Sequence, residues 1–358
     1  PNSIFVLDAW YKSGLCYYRL NNMIRTREAF QSLLNKFPQS IYSNEARFSL
    51  AELSFTEQKF EDAASNYQLL LQQKDLPGQL AEKSLYGLAW ADFKLSKYSE
   101  ALELFLNFEQ KYPNSTFRED VLFKKAECYR NLKMYDRARS SFSLFAERYP
   151  TSSLQAEALF QSGQAYYKQN DFKRAVKTFL DLAEQLDKAY LSTHEAGIGS
   201  APSTVTPDTI SAQPTTDNGV SLPFAADTLF KLKAKAIDQA GWSYYRQGDY
   251  QNAYLTYIKI TDAKDQFPND MVREATFRQG DCLYNLRRYR EAISRYEKVL
   301  ELPGASFVKE ALYAMFLSNL EIENFAGAKN TWKQFSDLYP KDPLVMEMDE
   351  KLIEKQHQ

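Results

Sequence analysis

Apolar positions recur along this chain with the period of a helix, and the same pattern returns several times. The stretch GQAYYKQNDFKRA, Gly163–Ala175, comes back as GWSYYRQGDYQNA, Gly241–Ala253. Aligning on the small residue that ends the phrase gives eight copies, with that position at Thr26, Ala63, Ala101, Ala138, Ala175, Ala253, Ala292 and Ala328. Successive spacings are 37, 38, 37, 37, 78, 39 and 36, and the 78 contains an insertion. Twelve residues earlier stands a small residue in seven copies: Gly14, Ala51, Ala89, Ala126, Gly163, Gly241 and Gly280. Three residues earlier stands a large apolar one, such as Phe60, Tyr98 or Phe172, and four residues later an aromatic in all eight copies. Spacings of three and four put these groups on one helical face. Polar pairs such as Asn170-Asp171 and Gly248-Asp249 supply turn chemistry between them. Each copy is therefore predicted to be a helix, a tight turn and a second helix. The small residues let the two backbones approach, and the aromatics fill the seam. Phe37-Pro38, Tyr112-Pro113, Tyr149-Pro150 and Tyr339-Pro340 close second helices. Proline stops the helix, and the Ser or Thr after it is expected to cap the next one.

At Leu159, Gly163, Tyr166, Ala175 and Phe179, and again at Leu122, Ala126, Tyr129, Ala138, Phe142 and Pro150, the chain resembles the tetratricopeptide repeat (TPR) family. The resemblance spans copies at about 7–40, 44–77, 82–115, 119–152, 156–189, 234–267, 273–306 and 309–342. It departs from the family at Thr26, at Phe316 in place of the small residue of copy eight, and at a third small position that is large here (Leu33, Leu70, Phe108, Phe145, Leu182, Ile260, Val299, Phe335). The resemblance implies an all-α fold: a right-handed superhelical solenoid of about eight helix-turn-helix repeats. The Tyr-Pro-x-Ser loop style resembles bacterial cell-envelope TPR proteins, namely the Tol-Pal-associated periplasmic protein and the outer-membrane-assembly lipoproteins.

This register divides the chain into a repeat tail (1–6), repeats one to five (7–191), an insertion (192–223), repeats six to eight (224–342) and a C-terminal capping helix with its tail (343–358). Pro1-Asn2-Ser3 matches Pro113-Asn114-Ser115, so the chain reads as a fragment that starts just after an earlier repeat, with targeting signals unobservable. The insertion is rich in Ser, Thr and Pro and nearly lacks large apolar groups, which predicts a loop, with a helix restarting near Ala225. Leu344, Val345, Met348 and Leu352 give the last helix an apolar stripe suited to closing a solenoid.

Composition adds limits. The chain is 44% hydrophobic and 25% charged, with a formal net charge of −2. That balance gives no electrostatic reason to bind nucleic acid, and short basic runs such as Lys231–Lys235 and Arg287–Arg290 read as solvated faces. No apolar run approaches the length of a membrane span. Cys16, Cys128 and Cys282 share one slot in separate copies, so they are too far apart for disulfides and read as small buried hydrophobes. Three unpaired thiols fit a reducing compartment slightly better than an oxidising one. His194 and His357 belong to no metal-spaced cluster, and no phosphate loop or nucleophile motif is present. The sequence thus offers no catalytic, cofactor-binding or metal-binding residues, and points away from an enzyme.

What is left is surface. The resemblance implies that first helices line a concave groove, where two positions face a partner. The earlier reads Tyr11, Phe48, Tyr86, Phe123, Phe160, Asp238, Phe277 and Tyr313; the later reads Tyr18, Phe55, Phe93, Arg130, Tyr167, Tyr245, Tyr284 and Leu320. With Trp90 and Trp242, this aromatic ladder is the candidate site for a protein or peptide segment. The competing reading is that these rings are packing between neighbouring repeats. The family's chaperone-tail clamp of Lys and Asn finds no match. The expected function is a non-enzymatic interaction scaffold in a periplasmic or outer-membrane-associated bacterial complex, with a cytoplasmic location as the alternative. The other reading is a self-associating structural subunit of a larger machine, such as a motor or secretion apparatus.

Overall fold

A computed structural model describes residues 4–195 and 226–357, as helices and short connections. Contacts divide the chain into two compact units, Pro1–Tyr149 and Pro150–Gln358, so the division falls between copies four and five.

The first unit holds four helical hairpins: α1 (Ile4–Arg19) with α2 (Met23–Lys36), α3 (Ser43–Thr56) with α4 (Phe60–Leu71), α5 (Gly78–Lys94) with α6 (Tyr98–Lys111), and α7 (Arg118–Asn131) with α8 (Tyr135–Arg148). The second holds α9 (Gln155–Lys168) with α10 (Phe172–Glu195), α11 (Ala226–Arg246) with α12 (Tyr250–Thr261), α13 (Asn269–Asn285) with α14 (Tyr289–Glu301), α15 (Val308–Glu321) with α16 (Phe325–Leu338), and the single helix α17 (Leu344–His357). Every second helix begins at the large apolar residue that the repeat pattern marks, from Met23 to Phe325.

The core follows the same register. The eight aligned small residues, Thr26 to Ala328, are completely buried. Seven of the aromatics four residues on are sealed as well: Phe30, Tyr67, Phe105, Phe142, Phe179, Tyr257 and Tyr296. Their rings rest where the first helix is narrowest. A Cβ added to Gly163 would lie 2.6 Å from the Phe179 ring, and one on Gly280 2.4 Å from the Tyr296 ring. The large residues at the family's third small position, Leu33 to Phe335, are also fully buried. Copy eight reverses the arrangement. Phe316 is itself buried, and Trp332 is only partly covered, its Nε1 donating to the Val345 carbonyl of α17 (3.0 Å). Met348 and Leu352 of α17 are buried against this hairpin, which is the capping role expected of the stripe.

Each turn inside a hairpin is a Schellman motif. The residue five before the aligned position is left-handed in all eight: Asn21, Gln58, Ser96, Lys133, Asn170, Gly248, Arg287 and Glu323, with φ from 55° to 79°. The following N–H reaches back to a carbonyl five residues earlier, as in Lys59 to Ser54 (2.8 Å) and Arg288 to Leu283 (2.9 Å). Glycine suits this conformation best, yet it occurs once. Arg287→Gly should therefore raise stability, by about 0.5–1 kcal/mol after the larger entropy of the unfolded chain is counted. The urea midpoint of the second unit reads this, and an unchanged or lower midpoint contradicts it.

Three expectations change. Cys128 and Cys282 are buried, and burial pushes both thiols up to about 12, but Cys16 is exposed. Its slot is closed in every later copy, at Leu53, Ala91, Cys128, Ala165, Ser243, Cys282 and Ser318. Copy one has no hairpin before it among the described residues to close it. Second, the serines after the prolines do not cap the next helix. Ser115 and Ser152 instead accept the N–H groups of Phe117 and Leu154 (3.0 Å each), fixing the turn one step earlier. Third, α10 continues through Glu195. Its extension packs on the start of α11 through Leu186, Leu229 and the Tyr190–Phe230 pair (4.7 Å), and Lys233 bonds Asp187 (2.5 Å). Residues 196–225, most of the expected loop, lie outside the described residues, as do the side chains of both histidines.

Candidate functional site

The first-helix aromatics fall into two groups. At the earlier position the rings are packed within the hairpin and against the entry to the next. Tyr11 stacks on Tyr42 (4.6 Å, 7°), Tyr86 on Phe117 (4.4 Å, 18°) and Phe277 on Phe307 (5.2 Å, 24°). Phe48 lies 5.9 Å from the Tyr67 ring and Phe160 5.4 Å from that of Phe179. Hydroxyls at this position reach the helix that follows their own hairpin: Tyr86 donates to Asp120 of α7 (2.8 Å), and Tyr313 to Glu347 of α17 (2.7 Å).

The later position is ordered by a different contact. Phe55, Phe93, Tyr167, Tyr245 and Tyr284 are half-buried. Each meets the first aromatic of its own second helix, across the left-handed turn. The pairs Phe55–Phe60, Phe93–Tyr98, Tyr167–Phe172, Tyr245–Tyr250 and Tyr284–Tyr289 have centroids 5.1–5.5 Å apart and planes crossing at 61–73°. Such edge-on contacts are the favoured aromatic geometry, so the turn holds the ring without covering it. Tyr18 stands apart, 49% exposed.

Around these rings each unit carries one tryptophan and one cation in the same register. In the first unit Lys124 Nζ lies 4.5 Å from the Trp90 ring and pairs with Glu127 (2.7 Å). Trp90 meets Phe55 (6.4 Å) and Phe93 (5.9 Å), and its Nε1 donates to Asp120 (2.8 Å). In the second unit Arg278 lies 4.7 Å from the Trp242 ring, 3.8 Å from Asp281 and 3.5 Å from Glu274. Trp242 stacks on Tyr245 (5.1 Å, 9°), its Nε1 donates to the Tyr167 hydroxyl (2.7 Å), and Asn285 donates to the Tyr245 hydroxyl (3.0 Å). The structure therefore gathers Phe55, Trp90 and Phe93 in one unit, and Tyr167, Trp242 and Tyr245 in the other. The cations and acids of these sets, Lys124, Glu127, Asp120, Arg278 and Glu274, were missed by the sequence reading. The repeat register holds their signal: each cation lies two positions before the small residue of the copy that follows a tryptophan copy.

The acids sit in poorly hydrated places. Burial pushes Asp281 up to about 6, against the opposing pull of the Tyr296 hydrogen bond and Arg278. Burial also pushes Asp238 up to about 6; Glu274 adds to the shift and Arg278 opposes it. Asp120 is raised by burial too, in spite of the hydrogen bonds from Tyr86 and Trp90. Among the described residues no group of three or more His, Cys, Asp or Glu is placed to hold a metal ion. No described helix is long and apolar enough to cross a membrane.

Eight helical hairpins in one register, with small-to-aromatic seams, define a helical repeat protein. Tetratricopeptide repeat profiles match residues 8–40, 83–115, 120–152 and 157–186, and a second such profile matches 239–306, together more than half of the sequence. The chain belongs to the tetratricopeptide repeat family. Copies two and eight fall outside both profiles, yet fold as the same hairpin. The fold resembles that of the C-terminal part of a TPR repeat-containing protein from Cytophaga hutchinsonii, with 14% identity, a TM-score of 0.56, and 84% of this chain and 98% of that one covered. It also resembles the apo form of RapI, with 15% identity, a TM-score of 0.52, and 98% and 96% covered. No curated protein matches the chain significantly. The family's repeats bind protein partners and are generally non-catalytic, which suggests an interaction scaffold.

Proposed function

We propose that this chain is a non-enzymatic scaffold whose units each hold a protein segment on the face formed by their own first helices. The observation that carries this reading is the set of five half-open rings fixed edge-on by their own hairpin turns. Rings already held in one orientation lose little freedom on contact, so apolar burial is not spent on ordering them. Trp90 and Trp242, braced by a cation and by neighbouring rings, add large surfaces of the kind that dominate binding energy. The setting we infer is a bacterial cell-envelope complex, periplasmic or outer-membrane-associated. It is supported by the Tyr-Pro turns that close Tyr112-Pro113 and Tyr149-Pro150.

Crosslinking in cells followed by mass spectrometry names the partner, and fractionation of the same cells gives its compartment. With the purified partner, replacing Tyr18, Phe93, Tyr167 and Tyr245 together by Ala should weaken binding at least tenfold (about 1.4 kcal/mol) with helicity unchanged. Undiminished affinity in that variant would remove the first-helix face from the mechanism.

A further inference from the structure

Copy six breaks the ladder. At the earlier position seven copies carry Tyr or Phe, and copy six carries Asp238. An aromatic there packs on the anchor of its own second helix, as Phe160 does on Phe179 and Phe277 on Tyr296 (5.8 Å). Asp238 gives up that contact and places a partly buried carboxylate on the face instead. Its side chain receives a long hydrogen bond from the adjacent Gln239 (3.3 Å), and no Lys or Arg of the described residues forms an ion pair with it.

A second departure sits behind it. Where the anchor is Tyr67 or Tyr296, the hydroxyl donates to an acid next to the small residue of the first helix, Glu52 or Asp281. In copy six that place belongs to Trp242. The hydroxyl of Tyr257, a fully buried residue, has no hydrogen-bond partner among the described residues. A Cβ added to Gly241 would lie 2.7 Å from the Tyr257 Cζ, so the hydroxyl end of the ring rests against α11 three residues after Asp238. An orphaned buried hydroxyl and a partly buried unpaired carboxylate both oppose folding. Phe at both places would remove the two costs, and copy five has that pair in Phe160 and Phe179. Local rules broken at a cost mark places where something other than folding is served.

We propose that Asp238, with Glu274 and the Tyr257 hydroxyl beside it, is a subsite for a cationic side chain, lysine or arginine, of the bound protein segment. This deepens the scaffold reading and rests on it. Charge selects the occupant. Asp238, Glu274 and Asp281 outnumber Arg278, which already lies on the Trp242 face. An ammonium or guanidinium brings donors alone, matching two carboxylates and a hydroxyl oxygen. The stacked Trp242–Tyr245 pair offers apolar surface to its alkyl stem.

The test uses the full chain and fluorescein-labelled heptalysine, heptaarginine and heptaglutamate, followed by fluorescence anisotropy at low salt. Heptalysine and heptaarginine should bind and heptaglutamate should not. Asp238→Asn should weaken binding at least fivefold. Asp238→Phe, which restores the ladder, should weaken it as much while raising the thermal midpoint. Asp181→Asn, on the exposed side of α10, should leave it unchanged. Equal affinities for wild type and Asp238→Asn, an equal loss in Asp181→Asn, or no binding of either basic peptide overturns the subsite. Repeating Asp238→Asn with the natural partner separates the two readings. Full affinity there, with loss in the four-ring variant, removes the subsite and leaves the scaffold. Full affinity in both removes the scaffold as well.

Discussion

Phe142→Ala should destabilise the first unit by about 3–5 kcal/mol, the range for emptying a sealed aromatic site. The ring is completely buried between α7 and α8, edge-on to Phe123 (5.5 Å). The small residue of its copy, Ala126, is itself fully buried and too short to fill the space. Phe142→Leu keeps most of the volume and should cost clearly less, below about 2 kcal/mol. Repeat arrays gain stability from nearest-neighbour interfaces, so the damage should be felt first in the hairpin that loses the ring. Urea unfolding gives the total loss, and amide exchange shows whether α7 and α8 open first. A loss below about 1 kcal/mol would mean that the seam is not held by its aromatics.

Arg273→Ala should cost the second unit about 3 kcal/mol or more, since it removes both a large buried volume and the donors that serve a helix end. Arg273 is 1% exposed. Its guanidinium donates to the Leu302 carbonyl (2.8 Å) and to Ser306 Oγ (3.2 Å), just past the C-terminus of α14. A positive charge there also meets the negative end of the helix dipole. The chain makes room with Gly304, whose φ is +108°. A Cβ at Gly304 would come within 2.6 Å of Arg273 Nη1, so Gly304→Ala should be harmful for two reasons, backbone conformation and collision. In the Arg273→Ala background the collision is gone, and Gly304→Ala should cost less than it does alone. Additive losses in that double-mutant cycle would show that the two residues do not act together.

Much of this architecture is legible in the amino-acid order, because each hairpin is local. Small residue, apolar helix start and aromatic anchor lie within sixteen residues of one another, and periodicity alone reports them. The residues around the tryptophans are harder to read. Lys124 lies on Trp90, and Arg278 on Trp242, from the next copy along, so neither pairing appears in a helical window. Asp238 is visible as a break in the ladder, but its meaning depends on Tyr257, whose hydroxyl lacks the acid that serves Tyr67 and Tyr296. Cys16 follows the pattern of its slot and departs from it in exposure, because burial of that slot is a property of the neighbouring hairpin. The aromatics at the earlier position pack on the anchor of their own hairpin or the entry to the next element, while those at the later one meet the start of their own second helix, and most of both sets are half-buried. The sequence lists both sets in the same terms.

The left-handed turns leave a row of tips where almost any polar side chain is tolerated, since Asn, Gln, Ser, Lys, Arg and Glu all occupy that backbone shape. Tips of this kind are natural mounting points. Spin labels or fluorophores attached at Gln58 and Lys133, or at Asn170 and Arg287, would turn each unit into its own molecular ruler. Changes in its pitch could then be followed as a partner loads, with the seam left untouched.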